Sequence, residues 1–195
     1  KLRLPQNQLL RMGDFSSWSM RTGERLRQRV DDFKQFNGLD PIKPAEGFLA
    51  QLRGYQEIGL AWLQFLRKNL LGGILADDMG LGKTVQALAH LQLEKYEGRL
   101  KHPALVIAPT SLMYNWRSEA NRFAPELKVL MLHGGQRQQH FEYIKDYDLV
   151  LTTYPLVSRD QDVLSMQRWS WLILDEAQNI KNSKAMTTGV IHTLK

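Results

Sequence analysis

The stretch Asp77-Asp78-Met79-Gly80-Leu81-Gly82-Lys83-Thr84 follows the apolar run Gly73-Ile74-Leu75-Ala76 and opens a segment of helical character. A buried strand, a glycine-rich turn, and Lys-Thr at a helix start are the parts needed to hold a nucleoside triphosphate. Backbone N–H groups released by a tight turn converge on phosphate oxygens, and the positive end of the helix dipole adds to the attraction. Gly80 and Gly82 permit backbone angles and a close approach that a side chain would block. In this arrangement Lys83 reaches the β- and γ-phosphates, and the Thr84 hydroxyl binds Mg²⁺. Asp77 stands where the general pattern asks for glycine. A strand-turn-helix with a solvated lysine is the competing reading of these residues alone.

A second constellation lies far along the chain. Trp171-Leu172-Ile173-Leu174 reads as a strand buried on both faces, and it ends in Asp175-Glu176-Ala177-Gln178. Adjacent carboxylates at the carboxyl end of a buried strand are costly unless they face a cation or water. In phosphate-loop ATPases the first carboxylate holds the metal and a nearby acid orients the attacking water. Acids at the start of a helix, favoured by its dipole, are the alternative. The interval between Lys83 and Asp175 leaves room for several strand-helix units of one parallel sheet.

Those units are visible in the pattern. Ala104–Ala108, Val129–Leu132 and Asp148–Thr152 read as strands, and segments near 111–123, 136–145 and 155–165 read as helices. Alternation of this kind implies right-handed parallel crossovers and a sheet covered on both sides. Ligands of open sheets sit outside the carboxyl ends of the strands, so the loops after Ala76, Ala108, Thr152 and Leu174 matter most. Before the phosphate loop, Leu52 to Leu70 reads as a helix with Ile58, Trp62, Phe65 and Leu66 as its buried stripe. The last stretch reads as a helix capped by Ser183, with Met186, Val190 and Leu194 on one face.

Residues 1–44 differ in character. They are polar and basic, with one helical stretch between Thr22 and Phe36 and a linker at Asp40-Pro41-Ile42-Lys43-Pro44. We read them as a small, mostly helical N-terminal extension from a preceding region, and residues 45–195 as the nucleotide-binding lobe. The extension helix, with Arg25, Arg27 and Arg29 around Leu26, Val30 and Phe33, either faces DNA or docks on the core.

Composition narrows the class further. The chain has 195 residues and is 43% hydrophobic, enough for one good core plus an appendage. It has no cysteine, which excludes disulfides and thiolate metal sites and fits a reducing compartment. Its five histidines lack ligand spacing. No apolar stretch reaches membrane-spanning length, and the basic, polar start does not read as a signal peptide. The formal net charge of +6 suits a polyanionic partner.

With these residues in view, the chain resembles the first RecA-like lobe of the Swi/Snf-type DNA-dependent ATPases of helicase superfamily two, from about Gln51 onward. Leu52-Arg53-Gly54-Tyr55-Gln56 is similar to the family's glutamine motif, in which Gln56 would read the adenine edge. Asp77 through Thr84 resembles its phosphate loop, which carries Asp at the first position; Asp78 replaces the usual Glu. Ala108-Pro109-Thr110-Ser111-Leu112 with Trp116 looks like motif Ia, and Thr152-Thr153-Tyr154 like motif Ib. Asp175-Glu176-Ala177-Gln178 looks like motif II of the bacterial branch.

The resemblance implies a three-layer α/β/α fold with a mainly parallel sheet, and ATP hydrolysis with Mg²⁺ coupled to tracking on duplex DNA. It implies that Lys83, Thr84 and Asp175 hold phosphate and metal while Glu176 polarises the attacking water. Thr110, Ser111, Thr152 and Thr153 would hold one strand's phosphates, with helix capping as the other reading. Gln178 would couple the nucleotide site to that surface, and Trp116 reads as a core anchor of its helix. A second RecA-like lobe would complete the ATP site. The rival functions are a strand-separating helicase and an ATP-driven remodeller of a protein partner. The expected setting is a bacterial cytoplasm, at the nucleoid, or the nucleus of a eukaryote.

Overall fold

The computed structural model describes residues 38–181 and 186–194. The basic helix expected within 22–36 and the Ser183 cap lie outside the described residues. The described chain begins with helix α1 (Gly54–Lys68) and helix α2 (Lys83–Tyr96), then strand β1 (Ala104–Ala108) and helix α3 (Met113–Phe123). Strand β2 (Val129–Met131), a 3₁₀ segment (Arg137–Asp146) and strand β3 (Leu149–Thr153) follow. Helices α4 (Tyr154–Arg159) and α5 (Gln161–Met166), strand β4 (Trp171–Leu174) and helix α6 (Met186–Thr193) complete it.

The four strands form one parallel sheet in the order β2-β3-β1-β4, as strand-helix alternation demands. β1 and β3 are buried at every position, so successive side chains serve two cores. Ala104, Val106 and Ala108 of β1 face Leu88 and Leu91 of α2 and Met113, Trp116 and Ala120 of α3. Leu105 and Ile107 face the other way, toward Ile144, Tyr154, Val157, Leu164, Val190 and Ile191. Three layers result.

Three expectations are corrected. Gly73–Ala76 joins no ladder, and Ile74 is 83% exposed. A doubly buried strand needs a hydrogen-bonded neighbour, and β4 ends the sheet with no described segment beyond it. Leu75 instead lies against Gly59 of α1. The buried face of α1 is also rotated from the one read in the sequence. Gln56, Leu60, Ala61 and Leu66 are buried, whereas Ile58, Trp62 and Phe65 are only half-buried. Polar side chains turn the helix: Gln56 and Gln64, at i and i+8, bond across to the phosphate loop and α2. In α6, Met186 is 75% exposed, and Thr188, Val190 and Ile191 form the buried face.

The α1–α2 contact encloses a polar network. Gln64 Nε2 lies 2.9 Å from His90 Nδ1 and donates to Glu94 Oε1 at 3.0 Å. Arg99 Nη2 donates to the same Glu94 oxygen at 2.8 Å. The His90 ring meets the Trp171 ring edge-on at 4.3 Å, and its Nε2 finds no partner among the described residues. Burial drives the His90 pKa down to about 4, Arg67 and Arg99 push the same way, and Glu94 opposes. The imidazole is therefore neutral in the fold. Between pH 6.5 and about 4 the unfolded chain takes a proton that the folded one refuses. Stability is lost as pH falls through that window, by roughly 3 kcal/mol at its lower end. Urea midpoints should fall between about pH 7.5 and about pH 5, and His90→Gln should flatten that dependence. A second outcome follows from β3. Thr152 is fully buried, and its hydroxyl has no hydrogen-bond partner among the described residues. Thr152→Val removes that unsatisfied group at constant shape and should raise stability by about 1 kcal/mol in the same assay.

Candidate nucleotide site

Helix α2 runs against the strand direction, and this places its first residues. His90 meets Trp171, the first residue of β4, edge-on, and Lys95 Nζ reaches Asp148, just before β3. Going back from His90 to Lys83 climbs about 10 Å of helix. Going forward from Trp171 to Asp175 climbs about 13 Å of strand. Lys83 and Asp175 are therefore both carried toward the rim at the carboxyl end of the sheet.

The phosphate loop is tied to its surroundings through backbone and side chain. Gly80 and Gly82 take φ of +83° and +78°, a left-handed region that a side chain disfavours. A Cβ at Gly82 would lie 2.6 Å from Gln56 Nε2, so the glycine also makes room for the glutamine. Gln56 Nε2 donates to the Leu81 carbonyl at 3.0 Å, and its Oε1 accepts the Arg53 N–H at 2.9 Å. The Tyr55 hydroxyl donates to the same Leu81 carbonyl at 3.1 Å. Lys83 Nζ donates to the carbonyls of Asp77 at 2.7 Å and Asp78 at 3.1 Å. Asp77, the departure from the general glycine pattern, accepts a hydrogen bond from the buried Gln86 amide at 2.8 Å. That bond joins the start of the loop to the second turn of α2. Thr84 sits in the first turn, with Met79 exposed at the loop's tip.

Asp175 is held at every polar atom. Its N–H donates to the Ile107 carbonyl at 2.9 Å, extending the β1–β4 ladder by one rung. Its carbonyl accepts the Tyr154 hydroxyl at 2.7 Å. Oδ2 accepts the Trp116 indole N–H at 2.8 Å, and Oδ1 accepts the Glu176 N–H at 3.0 Å. Burial, with the Asp175 and Glu176 carboxylates, pushes the Tyr154 pKa up to about 12, so its hydroxyl stays a donor. Glu176 itself takes the left-handed conformation, φ 51° and ψ 53°, an unusual state for a non-glycine residue. Its carboxylate accepts the Gln178 amide, and its carbonyl accepts the Asn179 amide at 2.7 Å.

The rim also carries the expected backbone-binding residues, with one correction. Thr110 and Ser111 are exposed in a single 3₁₀ turn after β1, and neither caps a helix. Thr152 and Thr153 are buried at the end of β3, so their hydroxyls are not presented to a nucleic acid. The parallel sheet extends through both residues, pairing them with Ile107 and Ala108. Thr153 occupies the N-cap of α4 without making a side-chain cap bond.

Reading the residues alone missed four contributors: Tyr55, Gln86, Trp116 and Tyr154. A buried indole must find an acceptor for its N–H, and that requirement was the available signal for Trp116.

The geometry can be set beside known proteins. A family model described as the SNF2-related domain matches residues 55–195. The chain is 38% identical over 195 residues to YwqA of Bacillus subtilis (strain 168), a putative ATP-dependent helicase/translocase. That alignment covers 98% of this chain and 21% of the relative. It is 40% identical over 147 residues to ISW1 of Saccharomyces cerevisiae, the ATPase of an ISWI chromatin-remodeling complex, covering 72% and 13% of the two chains. Among solved structures, the Sulfolobus solfataricus SWI2/SNF2 ATPase core in complex with dsDNA superimposes with a TM-score of 0.74 at 39% identity. That match covers 80% of this chain and 32% of the other. On the extent of the family match, which covers residues 55–195, the chain belongs to the SNF2-related domain family.

Proposed function

We propose that this chain is the nucleotide-binding lobe of an ATPase that uses hydrolysis to move along duplex DNA or to remodel protein–DNA complexes. The reading rests on the Lys83 helix start and the Asp175 carboxylate both lying toward the carboxyl end of the sheet. The residues fit Mg·ATP: two left-handed glycines open the loop, and Asp175 keeps a lone pair on each oxygen beside its one protein donor.

Asp78, Met79, Gly80, Leu81 and Gly82 supply the backbone cradle, and Lys83 offers its ammonium to phosphate oxygens in place of its own loop's carbonyls. Thr84 and Asp175 would hold Mg²⁺, which when bound neutralises charge on the phosphates. Gln56 sets the loop's position through Leu81, and by the family resemblance it would read an adenine edge. Glu176 accepts the proton of the attacking water and orients it, and Gln178 restrains that carboxylate. A second RecA-like lobe would bring the arginine residues that complete the site, typically worth about 10³ to 10⁵ in rate. This lobe alone should therefore turn over slowly.

Thr110 and Ser111 are the exposed hydroxyls placed to meet duplex phosphates. Such contacts are sequence-tolerant and weaken with salt. A duplex-tracking role puts the protein with DNA, in a bacterial cytoplasm or a nucleus. No described helix is long and apolar enough to cross a membrane.

The deciding experiment measures ATP turnover of the full-length protein with duplex DNA, single-stranded DNA and RNA. Stimulation by duplex DNA without strand displacement supports the proposal, and stimulation by RNA alone rules it out. Glu176→Gln should cut turnover by about 10² to 10⁴ while leaving nucleotide affinity within about threefold. Equal loss of binding would remove Glu176 from the chemistry. For the DNA surface, Thr110→Ala with Ser111→Ala should weaken duplex binding several-fold, whereas Thr152→Val should leave it unchanged. The reverse pattern in a binding titration would relocate the contact to β3.

A further inference from the structure

Asp175 is fixed by donors from two different rim loops. Trp116 lies on α3, one turn beyond the exposed Thr110-Ser111 turn that follows β1. It is 2% exposed, so its indole N–H has been removed from water, and Asp175 Oδ2 accepts it at 2.8 Å. Tyr154 opens α4 directly after β3, and its hydroxyl reaches the Asp175 carbonyl at 2.7 Å. One donor orients the carboxylate and the other orients the peptide that carries it.

We propose that Trp116 and Tyr154 are positioning residues that set how well Asp175 serves the metal, linking that carboxylate to the rim turns after β1 and β3. The inference rests on the ATPase reading above and deepens it by naming a route from the Thr110-Ser111 surface to the magnesium site. The route is short. Thr110 and Ser111 lead into the first turn of α3, and that turn carries Trp116. A duplex that shifts the start of α3 moves the indole, and the indole moves the carboxylate.

Removing the indole N–H takes away the one side-chain donor that Asp175 Oδ2 has among the described residues, and the expected effect is loss of the carboxylate's orientation. Groups that orient a metal ligand typically contribute about 10- to 100-fold in metal affinity or activity.

The test uses the full-length protein and a non-hydrolysable ATP analogue, titrated at increasing Mg²⁺. Trp116→Phe keeps the ring in the core and deletes the donor. It should raise the Mg²⁺ needed for half-maximal binding by about 10-fold or more, with metal-free nucleotide affinity unchanged. Stimulation by duplex DNA should fall with it. Trp169→Phe is the control, since Trp169 donates its N–H to the Leu164 carbonyl at 3.0 Å, away from the site. It should leave the Mg²⁺ requirement as in the parent protein. Tyr154→Phe should raise the requirement several-fold, and it carries the proposal if Trp116→Phe does not fold. An unchanged Mg²⁺ requirement in Trp116→Phe, or an equal rise in Trp169→Phe, overturns the inference. Absence of any Mg²⁺-dependent nucleotide binding in the parent protein would instead overturn the ATPase reading beneath it.

Discussion

The hydrogen bond from the Asp175 N–H to the Ile107 carbonyl is the constraint on which the site depends. It extends the parallel β1–β4 ladder one residue past the end of β4 and thereby fixes the height of the carboxylate above the sheet. Helix α2 runs opposite to the strands, with His90 beside Trp171 and Lys95 on Asp148, so its start is carried toward the same end of the sheet. Sheet register sets the acid pair, and the packing of α2 on the sheet sets the glycine-rich loop. The first loop is tied to α1 and α2 through Gln56 and Gln86, and the acid pair to the sheet through Ile107, so their relation depends on how α2 packs on the sheet. The SNF2-related domain match spans residues 55–195 and so includes both loops.

The polar packing of α1 against α2 serves this arrangement from behind. Leu60 and Leu88 supply apolar area, but the orientation of α1 is set by Gln56 at one end and Gln64 at the other. Gln56 touches the phosphate loop, and Gln64 touches the His90–Glu94 pair under β4. Burial pushes the Glu94 carboxyl up, while the Arg99 and Gln64 hydrogen bonds outweigh burial and leave it below its ordinary value. His90 is neutral and Glu94 is ionised at neutral pH, so the network is satisfied mainly through one carboxylate with several donors. An apolar interface of equal area would hold the helices together. It would not select the rotation that presents Gln56 to Leu81.

How much of this was legible beforehand depends on the range of the physics involved. The turn over residues 77–84 was readable because its demands are local: glycines at left-handed positions and a lysine at a helix start are set within eight residues. The place of Asp175-Glu176 was readable because an apolar run that gives way to carboxylates marks the end of a buried strand. The strand at Gly73–Ala76 was misread because apolar character shows only that a strand could be buried, while the ladder partner that buries it is not written in the run. The stripe of α1 was misread because hydrophobic spacing favoured Ile58, Trp62 and Phe65, whereas glutamine hydrogen bonds turned the helix. Thr152 and Thr153 were assigned to a nucleic-acid surface by motif, yet strand pairing with Ile107 and Ala108 buries both side chains.

That last displacement changes where the surface and the chemistry touch. With the β3 threonines inside the sheet, the exposed hydroxyls of the rim are those of Thr110 and Ser111, and they belong to the turn that leads into Trp116. Tyr154, immediately after Thr153, points its hydroxyl inward to the Asp175 peptide. The loops after β1 and β3 thus differ in kind: one offers polar groups outward and a donor inward, while the other offers its donor inward alone. Glu176 sits between these supports in a left-handed backbone state that a non-glycine residue adopts at a cost of about 1 to 2 kcal/mol. Two neighbours help hold it there, the fixed Asp175 peptide before it and the Asn179 amide on its own carbonyl. Both belong to the segment after β4, and the Asp175 peptide is in turn held by the Tyr154 hydroxyl from the start of α4, so the Glu176 conformation is braced from outside its own segment through that hydroxyl.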